Sequence, residues 1–299
     1  MNKKLAPVFV ILGGCFWGSI GIFVRRLNAL GLGSMEIVES RSAITGGVLL
    51  LALLLFRRDL LRIRLRDLWC FAGGGLLSVV FFNYCYFRVI QLSSLSTAVI
   101  LLYTSPLFVT LFSVLLFRER LTGRKVFCLL LAVGGCALAS GLASGGGGVT
   151  LPVLLLGLGS GVGYALYSIF SRFALQKGYH PLTVTTYIFL FAGLGGAFLA
   201  DVPKIFALAG QGLDKLGFLL LTALVTTILP FLLYTTGLSA MENSVAAVLV
   251  SIEPAVATVI GVLFFDELPD ALGWLGVALV LTALVLLNLP ARRREKQTK

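Results

Sequence analysis

An all-α integral membrane protein, with ten transmembrane helices arranged as two inverted five-helix repeats, is the fold this sequence predicts. Three observations predict it. First, 58% of the 299 residues are hydrophobic and only 12% are charged, about half the charge of a soluble chain, and the mean hydropathy is +1.01. Second, the apolar residues gather in runs of roughly twenty, the length that crosses a hydrocarbon core about 30 Å thick at a rise of about 1.5 Å per residue. Third, residues 86–119 recur without a gap as residues 234–267.

The runs lie near residues 6–24, 35–56, 68–87, 95–117, 126–142, 151–171, 182–200, 216–238, 243–265 and 271–289. Leu12-Gly13-Gly14-Cys15 loosely resembles a lipoprotein cleavage site. The apolar run nevertheless continues through Phe16, Trp17, Ile20 and Phe23, which reads as a retained helix. The second run carries Glu36, Glu39 and Arg41 and stops at Arg57-Arg58; the third carries Asn83 and meets Arg88. The fourth is centred on Pro106 and ends at Glu119. The fifth gives way to Ser144-Gly145-Gly146-Gly147-Gly148. No Gly-Lys-Ser/Thr follows these glycines, so they read as a flexible connector and not as a phosphate loop. The sixth run holds Tyr164 and Tyr167, and the ninth holds Glu253-Pro254. The organisation expected is a first repeat at 1–143, a connector at 144–150, a second repeat at 151–290 and a basic tail at 291–299.

Charge sets the orientation. With the N-terminus in the cytoplasm and ten crossings, 18 of the 24 Lys and Arg fall inside, among them Lys3, Lys4, Arg57, Arg58, Arg124 and Arg292. Arg25, Arg26, Arg88, Lys204 and Lys215 fall outside, and Arg41 lies within a run. The positive-inside rule therefore places both termini in the cytoplasm of a cell membrane. The net charge of +11 is a topology signal that also favours anionic lipid, and no nucleic-acid role is expected. The five cysteines all sit in apolar runs with no C-x-x-C pair, as reduced small hydrophobes do.

The duplication has an offset of 148. It pairs Tyr86 with Tyr234, Ala98 with Ala246, Pro106 with Pro254 and Glu119 with Glu267. A weaker match pairs Trp17 with Tyr164 and Arg25 with Arg172. Five runs per copy is an odd number, so the second copy enters the membrane from the opposite side. Inverted repeats of this kind typify secondary transporters, whose related halves exchange conformations about a central site.

Ten runs in two halves resemble the drug/metabolite transporter superfamily, specifically its EamA-type branch. The shared pattern is a small residue and Leu before a polar residue, then Ala, a mid-helix Pro and a closing Glu. Here it reads Val89-Ile90-Gln91, Ala98, Pro106 and Glu119, then Gly237-Leu238-Ser239, Ala246, Pro254 and Glu267. Trp17-Gly18 and Arg41 also resemble family positions. Val89 and Gly237 depart from the usual Ala, and Tyr164-Ala165 from the usual Trp-Gly. The resemblance implies a carrier of amino acids, drugs or other small metabolites, coupled to protons or working by exchange.

The polar residues inside the runs are the candidate site. Pro106 and Pro254 cannot donate to the carbonyls of Leu102 and Val250, which must then face a neighbouring helix or a wet cavity. Glu253 at mid-membrane costs on the order of 3 kcal/mol; it could accept a proton, meet a cationic substrate group or bond a neighbouring helix. Glu36 and Glu39 share a helix face and Arg41 points elsewhere. Arg41 could bind a substrate carboxylate or neutralise Glu39 or Glu253. Asn83 and Arg88 are weaker candidates, and Arg88 could snorkel to the outer interface. Trp17, Tyr103 and Tyr164 are cavity candidates by depth; Tyr84, Tyr86, Tyr167 and Tyr234 read as interface or packing residues. Gly14 with Gly18, and Gly157 with Gly161, permit close helix contacts.

Other classes fit less well. The single histidine, His180, lies in a loop, and there is no H-E-x-x-H, metal cluster or pair of buried aspartates. An enzyme, a cofactor and a metal are therefore not expected. A channel or a structural membrane protein remains the alternative. The expected partners are a small-molecule substrate, the bilayer and protons; oligomeric state is left open.

Overall fold

The computed structural model describes residues 5–93, 95–139, 150–265, 268 and 270–288. Among these there is no strand. Ten apolar helices can be followed in order. They are α1 (Ala6–Ala29), α2 (Ser34–Phe56), α3 (Leu65–Leu92), α4 (Leu95–Leu102 and Ser105–Phe117), α5 (Gly123–Ala139), α6 (Leu151–Gln176), α7 (Pro181–Gly196), α8 (Leu213–Leu238), α9 (Asn243–Phe265) and α10 (Ala271–Leu287). Seven of the helices are long and apolar enough to cross a membrane, with α7 and α10 shorter. The chain is a multi-pass membrane protein. Glu267, the glycine-rich connector and the basic tail lie outside the described residues.

Several boundaries differ from those expected, each for a local reason. The run at 95–117 is interrupted at Tyr103-Thr104, and Pro106 sits in the first turn of the helix that follows, where a missing N–H costs nothing. The Thr104 hydroxyl donates back to the Leu101 carbonyl at 2.6 Å. α9 is broken in the same way at Ser251, three residues before Pro254, and the Ser251 hydroxyl donates to Ala247 O at 3.1 Å. α1 also has a joint, at Ser19, whose hydroxyl donates to Phe16 O at 2.7 Å. Where helix kinks are expected at Pro106 and Pro254, the helices are interrupted just before each proline.

α3 and α8 each contain a π-helical stretch, Gly73–Val80 and Leu224–Ile228. The two end at positions 148 residues apart, the offset of the sequence duplication. A short helix, Val202–Ala209, lies between α7 and α8 where a plain loop was expected. Asp201 caps its start, accepting from Lys204 N at 3.3 Å. Its Leu208 packs with Leu27, Leu32, Ile37 and Leu219, which anchors this segment to the α1–α2 connection.

Packing follows a repeated scheme. α1 lies against α8 and α9, and α6 lies against α3 and α4; α2 packs on α7, and α5 on α10. Two glycines let the broken helices approach. A Cβ at Gly14 would come within 2.5 Å of Ile252 Cγ2 and 3.0 Å of Val250 O. The carbonyl that Pro254 leaves free therefore faces α1. A Cβ at Gly161 would meet Thr104 Oγ1 at 2.6 Å and Leu101 O at 3.1 Å, so the break in α4 is seated on α6 in the same manner.

Candidate functional site

A cavity of about 500 Å³ lies between helices drawn from both parts of the chain. It runs from Glu253 on α9 to Arg25, Asn28 and Ser34 at the α1–α2 connection. Five of the eight residues proposed from sequence line it: Trp17, Arg41, Asn83, Tyr164 and Glu253. They come from five different helices, which explains why nothing in the linear order brings them together.

Glu253 occupies the first turn after the break in α9. Its Oε2 accepts a hydrogen bond from Tyr164 OH at 3.2 Å. Tyr164 stands edge-on to Trp17 and to Phe82, with ring centroids 6.4 and 5.4 Å apart. Trp17 is buried and packs on Phe231 at 4.8 Å and Tyr234 at 5.5 Å. These rings form one continuous wall, and the Trp17–Tyr164, Trp17–Phe231 and Phe82–Tyr164 pairs add an edge-to-face attraction to their burial. Asn83 Nδ2 donates to Val79 O at 2.7 Å, a carbonyl inside the π stretch of α3. The amide thus satisfies a backbone group where the usual helical bonding is shifted.

Arg41 lines the cavity from α2, and its Nε is buried without a hydrogen-bond partner. Glu39 is 4% exposed but lies outside the cavity. Its carboxylate lies against Gly196 of α7, with Oε2 unpartnered. Among the described residues no ion pair joins Arg41 to Glu39 or to Glu253, so neither neutralisation considered from the sequence is present. Tyr103 sits at the break in α4 and packs on the core cluster that includes Trp17, Tyr167 and Tyr234; it is not itself among the residues lining the cavity. Arg88 is exposed, donating to Gln91 Oε1 at 2.8 Å, and is not part of the cavity.

Tyr86, Tyr167 and Tyr234, read from the sequence as interface or packing residues, line the cavity. Depth alone could not place them, because facing depends on which helices are neighbours. Phe82, Phe189 and Phe231 also line it and carried no polar signal to mark them. Ser168, one helical turn on from Tyr164, lines it as well and could have been found from that spacing.

The end opposite the α1–α2 connection carries a set of polar contacts between helices. Glu119, at the end of α4, caps the start of α9. Its Oε1 accepts from Asn243 N at 2.7 Å, and its Oε2 accepts from Ser244 N at 3.1 Å and Ser244 Oγ at 2.5 Å. Arg172 on α6 donates to the carbonyls of Leu238 and Met241 at 2.9 and 3.0 Å. Lys125 pairs with Glu242. Nearby, Asp67 is 1% exposed and binds Lys177 Nζ at 2.6 Å and Tyr179 OH at 2.8 Å. Asp67, at the start of α3, thus ties this end to the α6–α7 connection.

Comparison with known proteins gives the same picture from another direction. The model of the EamA-like transporter family matches residues 4–141 and again residues 151–289. An uncharacterized transporter of Bacillus subtilis, YwfM, is 24% identical over 99% of this chain and 97% of its own length. A second B. subtilis uncharacterized transporter, YxxF, is 27% identical over 95% of this chain and 90% of its own. The Escherichia coli threonine/homoserine exporter RhtA is 29% identical over 72% of this chain and 69% of its own. A solved crystal structure superposes with a TM-score of 0.80 over 98% of this chain and 99% of that one; at 20% identity the likeness is one of fold.

Proposed function

The chain belongs to the EamA-like transporter family, and from that premise we propose that it is a secondary active carrier of small organic metabolites. Amino-acid-like solutes or drugs cross the cytoplasmic membrane by alternating access, coupled to protons or by exchange. The observation that carries this reading is the central cavity: Arg25, Asn28 and Ser34 line it at the α1–α2 end, and we read the hydrogen bonds of Glu119 and Arg172 at the other end as holding that side shut. A site open to one side at a time is what a carrier needs, and what an open channel lacks. The positive-inside bias puts the closed end in the cytoplasm, with both termini, so this state faces outward.

We take the ten helices as two inverted five-helix repeats, 1–143 and 151–290, joined by the connector at 144–150. Three features support it. The family model matches the chain twice. Exchanging α1 with α6, α2 with α7, α3 with α8, α4 with α9 and α5 with α10 leaves the main helix neighbours unchanged. The π stretches and the proline breaks recur at corresponding places. Such a pair of halves can exchange conformations and so reopen the cavity at the other side. The distant relation to a threonine/homoserine exporter supports an amino-acid-like solute.

The test is counterflow in proteoliposomes. Saturable uptake stimulated by internal solute is expected, with uptake driven by a pH gradient if protons are coupled. Conductance far above carrier turnover would favour a channel. Glu253→Gln keeps an acceptor for Tyr164 but cannot cycle a proton, so it should abolish gradient-driven uptake and leave folded protein in the membrane. Unchanged gradient-driven uptake would remove the proton role from Glu253.

A further inference from the structure

A second, smaller cavity of about 290 Å³ has Arg172, Leu175, Tyr179, Pro181 and Ser239 among its lining residues. It lies at the α6–α7 connection, the end opposite the α1–α2 mouth of the central cavity. That mouth is lined by Arg25, Asn28 and Ser34. At an offset of 147 these three become Arg172, Leu175 and Pro181, and all three line the smaller cavity. The backbone repeats in the same register. Gly31 and Gly178 hold left-handed φ values of 93° and 88°. α2 begins at Ser34 and α7 at Pro181. Gly14 lies against the break in α9, and Gly161 against the break in α4. The smaller cavity therefore takes the place in the second half that the mouth takes in the first.

One stretch of α6 joins the two cavities. Tyr167 and Ser168 line the central one, and Arg172 and Leu175 line the smaller one; residues three or four apart share a helix face. Ser171 lies between them in the helix and is buried. Asn243 of α9 reaches the same level, its Nδ2 donating to Ser168 O at 3.5 Å. Here Ser171 Oγ, Arg172 Nε and Asn243 Oδ1 are buried without a hydrogen-bond partner. Their counterparts in the first half are Val24, Arg25 and Leu95, at offsets of 147 in α1 and 148 in α4. All three counterparts line the central cavity. A permanently sealed seam would be better served by Val and Leu, because a buried polar atom without a partner is costly. A hydroxyl and an amide suit this place once water or a polar solute reaches them.

We infer that the smaller cavity is the shut cytoplasmic mouth of the transport path, and that Ser168, Ser171, Arg172 and Asn243 line the passage from it to the central cavity. This inference rests on the carrier reading above. Arg172 is the latch of the passage. Its guanidinium donates to the carbonyls of Leu238 and Met241, at the α8–α9 connection, at 2.9 and 3.0 Å. Releasing those carbonyls frees α6 from that connection and lets the two cavities join. The passage takes a hydrated solute with hydrogen-bonding groups, because its walls offer hydroxyls, an amide and a guanidinium. At the same positions the first half has Gly21, Val24, Leu95 and Arg25.

The test uses the full chain without its five native cysteines, in right-side-out and inside-out vesicles, with a membrane-impermeant maleimide as the probe. Val24→Cys should react from the outer side and Ser171→Cys from the cytoplasmic side. In a chain carrying both, filling Ser171→Cys first should slow the later reaction of Val24→Cys at least about tenfold, a ratio that corresponds to ~1.4 kcal/mol. The adduct holds the passage open, and the outer mouth must then be shut. Arg172→Gln should speed the reaction of Ser171→Cys by a similar factor, and Arg172→Lys, a donor with a single head, should fall between. Because the first two measurements keep Arg172 in place, a latch variant that fails to fold does not remove the test. Reaction of Ser171→Cys from the outer side, no reaction from either side, or a Val24→Cys rate that ignores the adduct overturns the inference. Counterflow with a whole metabolite extract separates the two readings. Exchange together with any of those three results leaves the carrier standing and sinks the passage; no exchange of any solute sinks both.

Discussion

Glu119→Ala should loosen the closed end of the protein by an amount that its contacts set. The carboxylate accepts from two backbone amides and one hydroxyl at the start of α9. Removing a helix cap costs about 0.5–2 kcal/mol, and losing a negative charge at a helix N-terminus about 0.3–1 kcal/mol. Glu119 is only partly buried, so water can replace some of these bonds, and ~1–3 kcal/mol is a fair range. At 1.4 kcal/mol per tenfold that is about a 5- to 150-fold shift toward states opened at this end. Ala247, one turn into α9, reports on it. It is 3% exposed and packs with Val109 and Ala165. In a background lacking the five native cysteines, Ala247→Cys should react with a hydrophilic maleimide faster by that factor when Glu119 is Ala. Glu119→Gln, which keeps one acceptor, should fall between. If the labelling rate of the folded variant does not change, Glu119 is no more than a local cap and does not hold this end shut.

Three further outcomes are expected. Gly161→Val places branched carbon where even a Cβ would meet Thr104 Oγ1 at 2.6 Å; overpacking of this kind costs about 1–3 kcal/mol, read as a lower Tm in detergent. Arg88→Ala should leave solute affinity within about twofold of the parent, an effect below ~0.5 kcal/mol, because Arg88 is exposed and outside the cavity; a larger loss measured by calorimetry would place it in the site. His180 caps α7 through Nδ1, which accepts from Leu182 N at 3.2 Å, and burial followed by the nearby Arg57 charge pushes its pKa down. With the folded value below the unfolded one, the contribution is full above the unfolded pKa of about 6.5 and lost as pH falls through the folded value. His180→Asn retains a cap without the titration, so its Tm should vary less between about pH 7 and about pH 5, either side of the ordinary histidine pKa, than that of the parent.

The family pattern and most helices were legible in the sequence because bilayer crossing imposes length and apolarity on a contiguous segment, and a duplication leaves its mark at a constant offset. Pro106 and Pro254 announced a local irregularity for the same reason, since a missing N–H is a local fact; that each helix is interrupted just before its proline came from the structure. The π stretches were not legible, since no residue type demands them; in α3 the side chain of Asn83 supplies a bond within one. The helix Val202–Ala209 was missed because its stability comes from packing on Leu27 and Ile37, residues far away in the chain.

The site divides along the same line. By itself the sequence determined that Glu253, Arg41, Trp17 and Tyr164 lie in apolar helices, where polar groups are costly and need partners. Only the tertiary structure decided which of them share a cavity. It turned Glu39 toward Gly196 and Arg41 toward the interior, although the two are neighbours in one helix. It made cavity walls of Tyr86, Tyr167, Tyr234 and Phe231, and it gave Glu119 to the start of α9. The physical reason is that burial cost is a property of a residue and its depth, whereas facing is a property of the neighbouring helices, and those come from distant parts of the chain.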